Sequence, residues 1–335
     1  MKISVVCPFY NEANILDAAI ARMVRNLSSQ FDDWELILVN DGSTDHSLAT
    51  ALATPAGADT RVRVLSTQWN QGRGRALKNG IDAARGDIIV TTEVDCSWGD
   101  DIAPQLVGAL LETHAHVIVA SPHMRGGRFL NVPAVRVLLS TLGNFAINSF
   151  FSSGVSMSTG MTRAYRREVI QPLVVTENGK EFHLEVLLKL RSLGFDIREI
   201  PATLQWQEHQ LAKAKTARRI SSTRLLRTIG THLRFVAVAQ PMMYFGVVSA
   251  LAVLTGLGFI AAGFRNLMVG QPAAFLAIVG LILLVLALLF AGFSILFIAA
   301  RDIQRELWMR HYRGTLPPSQ LDVEEIRRTQ AAVSR

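Results

Sequence analysis

Apolar and polar positions in the first 125 residues alternate between two periods. Short apolar runs such as ISVVCP, WELILVN, VRVLST, DIIVTTE and AHVIVAS are typical of buried strands. Between them, segments such as EANILDAAIARMVRNL and GRALKNGIDAAR carry apolar residues at helical spacing. This alternation predicts an α/β fold, with a mostly parallel sheet covered by helices on both faces.

Residues 126–210 carry a more mixed pattern. The apolar spacing predicts a helix from about Ala134 to Phe151 and another near Glu181 to Leu193, separated by a loop rich in glycine and serine. The segment FDIREIPATLQW then predicts a further strand. We expect these elements to complete one domain that spans residues 1–210.

Two long windows further along the chain contain no charged residue. Neither Asp, Glu, Lys nor Arg occurs from Val236 to Phe264 or from Asn266 to Ala300. An apolar helix needs about 20 residues to cross a bilayer. We therefore predict two transmembrane helices, near 242–264 and 273–299, in a hairpin that spans 241–300. A pair of long buried core helices is the alternative.

Basic residues flank the predicted hairpin on both sides, whereas its connecting loop holds only Arg265. Under the positive-inside rule, this places both flanks and the domain 1–210 in the cytosol. We predict a basic amphipathic juxtamembrane segment at 211–240 and a cytosolic basic tail at 301–335. The flanking residues are Lys213, Lys215, Arg218, Arg219, Arg224, Arg227, Arg234, Arg301, Arg305, Arg310 and Arg313.

The net charge of +7 arises largely from these flanking residues. Anionic lipid is their nearer partner, at about 1 kcal/mol per basic residue. We therefore predict a lipid bilayer, and not nucleic acid, as a partner of the chain. The two cysteines fit neither a metal spacing nor a secreted disulfide framework.

Four polar clusters follow predicted strands or the turns after them. They are Pro8 to Glu12, Asp41 to Ser43, Asn70 to Gly74 and Glu93 to Ser97. Ligands of open α/β sheets bind beyond the carboxyl ends of the strands. The sequence thus predicts that these clusters converge on one rim of the sheet and form a binding site.

Glu93 and Asp95 are the strongest candidates in that rim for holding a metal. Side chains two residues apart on an extended strand end point the same way, and Mg²⁺ or Mn²⁺ bound to diphosphate uses one or two carboxylates. A solvated acidic turn is the alternative. The run NQGRGRALKNG follows the third strand and lacks the spacing of a dinucleotide fingerprint, and we find no Walker motif.

The segments VVCPFYNE, ILVNDGSTDHS, NQGRGRALKNGIDAARGD and EVDCS together resemble family 2 glycosyltransferases with the GT-A fold. MTRAYRREVI and the two C-terminal apolar windows resemble the branch that uses polyprenyl phosphate. The resemblance implies transfer of a sugar from a nucleotide-diphosphate sugar to a polyprenyl phosphate, with inversion. It also implies a Mg²⁺ or Mn²⁺ cofactor, and it leaves a homo-oligomer open.

The resemblance also implies a role for each matching residue. Asp95 is the principal metal ligand, with Glu93 and Ser97 completing the set, and Arg73 lies beside the diphosphate. The catalytic residues are Asp95, Arg136 and Arg163. The nucleotide sugar is held by Pro8, Tyr10, Glu12, Asp41, Arg73, Glu93 and Asp95. The acceptor's phosphate is held by Arg125, Arg136, Ser140 and Arg163.

Several positions depart from the family's pattern. Glu93 stands where the first Asp of D-x-D is usual, Ser97 replaces a Gln, and the acceptor loop GVSMSTGMTR lacks its usual acid. Glu185 is a further candidate carboxylate, for ordering that loop, for binding the sugar, or as a buried structural acid. The alternatives are a glycosyltransferase with a sugar or glycolipid hydroxyl acceptor, and a catalytically degenerate membrane protein that binds nucleotide sugar.

Overall fold

The computed structural model describes residues 1–151, 154–207, 210 and 241–312, with side chains for all of these except 146–151, 241–244 and 301. The predicted juxtamembrane segment 211–240 lies outside the described residues, as does the basic tail beyond Tyr312. The described residues form two units: one holds residues 1–210 with 308–312, and the other holds residues 241–307.

The first unit is built on a seven-stranded sheet with the order β3-β2-β1-β4-β7-β5-β8. All neighbours pair in parallel except β7, which is antiparallel to both β4 and β5. The predicted mostly parallel sheet is confirmed. The strands are β1 (Ile3–Phe9), β2 (Trp34–Asn40), β3 (Val62–Ser66), β4 (Ile88–Thr91), β5 (Val117–Ser121), β7 (Arg163–Arg166) and β8 (Ile197–Pro201).

Two smaller strands, β6 (Arg128–Leu130) and β9 (Thr203–Gln205), form a separate parallel pair. The predicted strand FDIREIPATLQW is therefore split between β8 and β9, and Ala202 between them is buried. The helices of this unit are α1 (Ala13–Gln30), α2 (Ser47–Ala53), α3 (Arg73–Ala83), α4 (Ile102–Glu112), α5 (Ala134–Phe151), α6 (Arg167–Ile170) and α7 (Phe182–Ser192).

Helices cover both faces of the sheet, as predicted. Strand side chains alternate between the faces, so Val5 and Cys7 pack in one core cluster with α1 and α4, whereas Val6 packs in the other with α3 and α7. Both faces of β1 and β2 are buried, which explains why these strands read as continuous apolar runs.

The turns after β1 and β2 are joined to each other. The backbone N–H of Asn11 donates to Ser43 Oγ over 3.0 Å, and the N–H of Thr44 donates to Asn11 Oδ1 over 2.9 Å. Gly42 has a φ of +64°, and a Cβ there would lie 2.2 Å from the carbonyl carbon of Trp69. Glycine thus lets the turn after β2 approach the loop that leads into α3.

The second unit holds the helix α8 (Pro241–Met268) and the part of α9 (Ala274–His311) up to Leu307. Phe245–Met268 and Ala274–His311 are long and apolar enough to cross a membrane, and only 11% of each apolar window is buried. Such exposure does not fit the alternative of two core helices, whose apolar side chains would be covered. A Cβ on Gly256 would lie 3.0 Å from the carbonyl oxygen of Gly280, so glycine allows the two helices to pack closely.

Candidate active site

Glu93, Asp95 and Ser97 lie together just after β4, as the sequence predicted for a metal site. Ser97 contacts both acids: its hydroxyl donates to Glu93 Oε2 over 3.1 Å, and its backbone N–H donates to Asp95 Oδ1 over 3.0 Å. Trp98 Nε1 donates to the same Glu93 oxygen over 3.3 Å. Ser97 thus links the two carboxylates, and the indole orients one of them.

Arg73, the first residue of α3, supplies the positive charge of this cluster. Its Nη1 lies 3.6 Å from Glu93 Oε1. The pKa of Glu93 is raised, first because burial removes water from the carboxylate and then because Asp95 carries a like charge, while Arg73 opposes both. The arrangement favours a cation that would compensate the two acids.

The donor set fits Mg²⁺ or Mn²⁺. Within the described residues, no group of three or more His, Cys, Asp and Glu side chains could enclose a metal. Mg²⁺ does not need one, because it binds through one or two carboxylates and takes its other ligands from phosphate oxygens and water. Asp95 and Glu93 are carboxylates that could hold such an ion, and the Ser97 hydroxyl is a further oxygen donor beside them.

Gln210 is an unpredicted member of this cluster. Its Nε2 donates to Asp95 Oδ2 over 2.6 Å, and its Oε1 accepts the backbone N–H of Gln207 over 2.8 Å. No local motif in QWQEHQ marks this contact. Chain direction alone does not show that this segment returns to β4.

The remaining predicted donor residues lie at the ends of β1 and β2. Pro8 is buried within β1 and Tyr10 just after it is exposed. The backbone N–H of Glu12 donates to Ser47 Oγ over 2.8 Å. Asp41 is buried, and its two oxygens accept the backbone N–H groups of Gln71 and Gly72 over 2.8 and 3.1 Å. Asp41 therefore fixes the loop that presents Arg73.

Three of the predicted acceptor residues lie on two neighbouring elements. Arg125 is exposed in the turn between β5 and β6. Arg136 is exposed on α5, with its guanidinium carbon 4.9 Å from the centre of the Trp206 ring. Ser140 follows one turn later on α5 and is bonded to His123, two residues before Arg125, with 3.1 Å between its Oγ and His123 Nε2.

Arg163 does not join this group. It is completely buried in β7, where its guanidinium donates to the carbonyl oxygens of Ser158 over 2.7 Å and His183 over 2.8 Å. The pKa of His183 lies well below its ordinary value because the ring is buried and then because of the charges of Arg163 and Arg73. In this arrangement Arg163 ties the acceptor loop to α7 and presents no face to a substrate.

Sequence reasoning missed the polar network that holds the acceptor loop. Asn144 Oδ1 on α5 accepts the backbone N–H of Ser158 over 3.1 Å. Glu199 Oε2 on β8 accepts from the N–H and the hydroxyl of Ser156 over 2.6 and 2.9 Å. The loop that lacks an acid in its own sequence thus receives one from a distant strand. No local motif marks this, because the partners are 14 and 43 residues apart.

The profile of Glycosyl transferase family 2 matches residues 4–174, about half of the chain. This range contains the rim clusters after β1, β2 and β4, and the acceptor loop. The chain belongs to glycosyl transferase family 2. Its sheet, with helices on both faces and β7 inserted between β4 and β5, is the GT-A fold expected from the sequence.

Two curated relatives are similar to this family 2 member over about half of its length or more. It is 30% identical over 174 residues to an undecaprenyl-phosphate 4-deoxy-4-formamido-L-arabinose transferase of Shewanella sediminis, a match that covers 51% of this chain and 50% of that protein. It is 25% identical over 275 residues to a dodecaprenyl-phosphate galacturonate synthase of Rhizobium johnstonii, covering 81% of this chain and 78% of that protein. The chain thus matches about half the length of the first relative.

Among solved structures, the crystal structure of Mycobacterium tuberculosis glucosyl-3-phosphoglycerate synthase superposes with a TM-score of 0.48 at 22% identity. The match covers 62% of this chain and 72% of the synthase chain.

Glu185, the further carboxylate noted in this family 2 sequence, is a buried acid on α7. Its oxygens accept the backbone N–H groups of Thr176 and Glu177 over 2.8 to 3.0 Å, and Lys189 Nζ lies 2.5 Å away. The loop held in this way continues to Asn178, whose carbonyl oxygen accepts the backbone N–H of Arg75 at the start of α3. Glu185 therefore orders the loop beside Arg73 and does not order the acceptor loop.

Proposed function

We propose that this family 2 glycosyltransferase moves a sugar from a nucleotide-diphosphate sugar to the phosphate of a polyprenyl phosphate, with inversion at the anomeric carbon. Family membership supports sugar transfer, and the relatives named above are polyprenyl-phosphate enzymes. The observation that carries the choice of acceptor is the surface of α5.

Helix α5 combines a phosphate-suited face with an apolar one. Arg136 and Ser140 are one turn apart and lie on the same side of the helix. The opposite side carries large apolar residues at helical spacing, all of them exposed. They are Val135 (68%), Leu138 (57%), Leu139 (43%), Leu142 (56%) and Phe145 (71%).

Such a helix matches an amphiphile better than a sugar. A polyprenyl phosphate brings an anionic head for Arg136 and Ser140, and a hydrocarbon chain for the exposed row. A sugar hydroxyl acceptor would leave that row exposed to water, at a cost of about 25 cal/mol for each Å² of apolar surface. The exposed Arg125 adds a second cation near the head group.

The chemistry of a phosphate acceptor also suits these residues. A phosphate monoester has a second pKa of about 6, so at neutral pH it is already a nucleophile and needs no general base. One of its oxygens forms the new bond to the anomeric carbon while the bond from that carbon to the donor's diphosphate breaks. The electron pair leaves with the nucleoside diphosphate, and no proton has to move.

The protein's own contribution is positioning and charge. Arg136 and Ser140 would hold the acceptor's phosphate, and Asp41 fixes the loop that directs Arg73 toward the donor's diphosphate. A Mg²⁺ or Mn²⁺ ion held by Asp95, Glu93 and Ser97 would, when bound, neutralise charge on the leaving diphosphate. Gln210 orients Asp95 for that role.

The same proposal fixes the place of the reaction. We infer that residues 1–210 form the catalytic domain, that 211–240 lie at the membrane interface and that 241–300 anchor the chain as a transmembrane hairpin. The catalytic domain and the tail 301–335 then face the cytosol, where nucleotide sugars are made.

Membranes that contain the full chain, incubated with labelled nucleotide sugars and polyprenyl phosphate, test the proposal. A panel of UDP-glucose, UDP-N-acetylglucosamine and GDP-mannose covers different bases and sugars. Label in a lipid that mild acid cleaves supports it. Label only in polymer or glycolipid would support a hydroxyl acceptor instead, and donor binding without any transfer would support a degenerate binding protein.

A further inference from the structure

His123 contacts the acceptor helix at the residue proposed to hold the acceptor's phosphate. Its Nε2 lies 3.1 Å from Ser140 Oγ, and its Nδ1 lies 3.4 Å from Thr141 Oγ1. The ring packs edge-on against Phe129 of β6, with 5.0 Å between the ring centres. These contacts hold the imidazole between β6 and α5.

The neighbouring hydrogen bonds decide which ring nitrogen carries the proton. Thr141 already donates its hydroxyl hydrogen to the carbonyl oxygen of Val137 over 2.8 Å. Its Oγ1 can therefore only accept from the ring, so Nδ1 carries the hydrogen. In the neutral imidazole Nε2 is then an acceptor, and the hydroxyl hydrogen of Ser140 points at His123.

The direction of the Ser140 hydroxyl hydrogen decides whether this residue can donate to a bound phosphate. A hydroxyl has one hydrogen, and while that of Ser140 points at His123 it cannot be donated to a phosphate oxygen. If His123 is protonated, Nε2 donates instead to Ser140 Oγ. The second lone pair of that oxygen faces the amide of Asn144, whose Nδ2 lies 3.4 Å away, and the hydroxyl hydrogen becomes free.

We propose that His123 is a positioning residue that sets the direction of the Ser140 hydroxyl. Uncharged, it holds the hydroxyl hydrogen; protonated on acceptor binding, it releases that hydrogen to an oxygen of the acceptor's phosphate. The inference rests on the proposed function, because it takes Ser140 as a contact of the acceptor phosphate. It predicts that acceptor binding takes up a proton.

The surrounding charges fit this exchange. Burial holds the pKa of His123 below its ordinary value, and Glu199 of β8 opposes that shift only in part. The cations on the adjoining elements are Arg125 on the same turn, Arg128 on β6 and Arg136 on α5. Burial disfavours imidazolium in the free protein. An acceptor phosphate brings a charge of about −1.5 to −2 into this group and favours it.

The test uses the full chain in detergent, with farnesyl phosphate as the acceptor. Calorimetry near pH 7 in buffers of different protonation enthalpy measures the protons exchanged on binding. We expect the wild type to take up more protons than His123→Gln, whose amide can still bond Ser140 but does not titrate. Ser140→Ala, which removes the hydroxyl that His123 contacts, should take up fewer protons than the wild type.

The acceptor KM gives a second measure. Between the pKa of the free and the bound His123, the wild-type KM should rise about tenfold for each pH unit, while in His123→Gln this rise should be lost and the donor KM should stay unchanged. His114→Gln, an exposed histidine of the turn before β5, is the matched control and should behave as the wild type.

Equal proton uptake in the wild type and in His123→Gln would overturn the inference. If sugar is still transferred to farnesyl phosphate, that result leaves the proposed function intact. If farnesyl phosphate is not bound and no donor's sugar is transferred to it, the proposed function is contradicted, and this inference fails with it.

Discussion

The Nε2 atom of Gln210 lies 2.6 Å from Oδ2 of Asp95, although 115 positions separate the two residues in the chain. The amide hydrogen occupies one lone pair of this oxygen and orients the carboxylate, whose other lone pairs stay open to a divalent cation. Replacing a side chain that is hydrogen-bonded to a metal ligand typically lowers metal affinity or activity by about 10- to 100-fold. Gln210 therefore acts on the metal site through Asp95.

We predict that Asp95→Ala abolishes sugar transfer, because it removes the principal carboxylate. Gln210→Ala should instead raise the Mn²⁺ concentration needed for half-maximal transfer roughly tenfold, measured by titrating Mn²⁺ into metal-free enzyme. Gln207→Ala is the control, because Gln207 holds the amide of Gln210 through its backbone N–H. Normal activity of Asp95→Ala would reject the metal assignment.

Glu93 should destabilise the metal-free protein at neutral pH. Its pKa is raised by burial and by the charge of Asp95. The folded state therefore holds the proton of the Glu93 carboxyl more tightly than the unfolded state does. The free energy of unfolding therefore falls as pH rises through the raised pKa. Glu93→Gln cannot ionise and should escape that loss.

The corresponding measurement is thermal unfolding in EDTA from pH 4 to pH 8. Glu93→Gln should unfold at a higher temperature than the wild type near pH 7, and the difference should vanish toward pH 4. Added Mn²⁺ should stabilise the wild type more than the variant. A difference independent of pH would show that ionisation of Glu93 is not its cause.

Local patterns were enough to predict the frame of this domain. The strands that precede the polar clusters were predicted because apolar runs such as ISVVCP indicate a strand that is buried on both faces. Helix α5 has the predicted limits, Ala134–Phe151, because its apolar period is long and regular. Glu93, Asp95 and Ser97 are close in the chain, so their meeting followed from strand geometry.

Features that depend on long-range pairing could not be predicted in this way. The segment that forms β7 is short and rich in arginine, and its place between β4 and β5 is set by partners 44 to 78 residues away. Arg163 was assigned to the acceptor by position in a motif, whereas burial decides its contacts. Glu199 reaches Ser156 only because β8 lies beside β5.

Arg163 and Arg136, which the sequence grouped together, should fail in different ways when replaced. Arg163→Met would remove the guanidinium hydrogen bonds to the buried carbonyl oxygens of Ser158 and His183, and a hydrogen bond to a charged group contributes about 1.5–3 kcal/mol. We predict a loss of about 3–6 kcal/mol in the free energy of unfolding. Arg163→Lys should restore only part of it, because one ammonium cannot reproduce the fork of the guanidinium.

Arg136→Ala should leave the unfolding temperature nearly unchanged, because the side chain is exposed and rests on Trp206. Its effect should appear as a raised KM for the acceptor, with the donor KM unchanged. Thermal unfolding and steady-state kinetics of both variants separate the two roles. An Arg163→Met protein that unfolds like the wild type but fails to bind acceptor would restore the motif-based assignment.

The exposed apolar row of α5 should determine how strongly the enzyme prefers a long polyprenyl chain. Burying one leucine side chain is worth about 1.5–3 kcal/mol, so replacing both Leu138 and Leu142 by Gln should raise the KM for undecaprenyl phosphate roughly tenfold or more. The KM for a short, soluble prenyl phosphate should change much less, because little of its chain reaches the row. Leu52→Gln, a 66% exposed leucine on α2, is the matched control and should change neither KM. If the double variant instead raised the KM of both acceptors equally, the row would act on the fold of α5 and not on the lipid chain, since only a contact with the chain can depend on chain length.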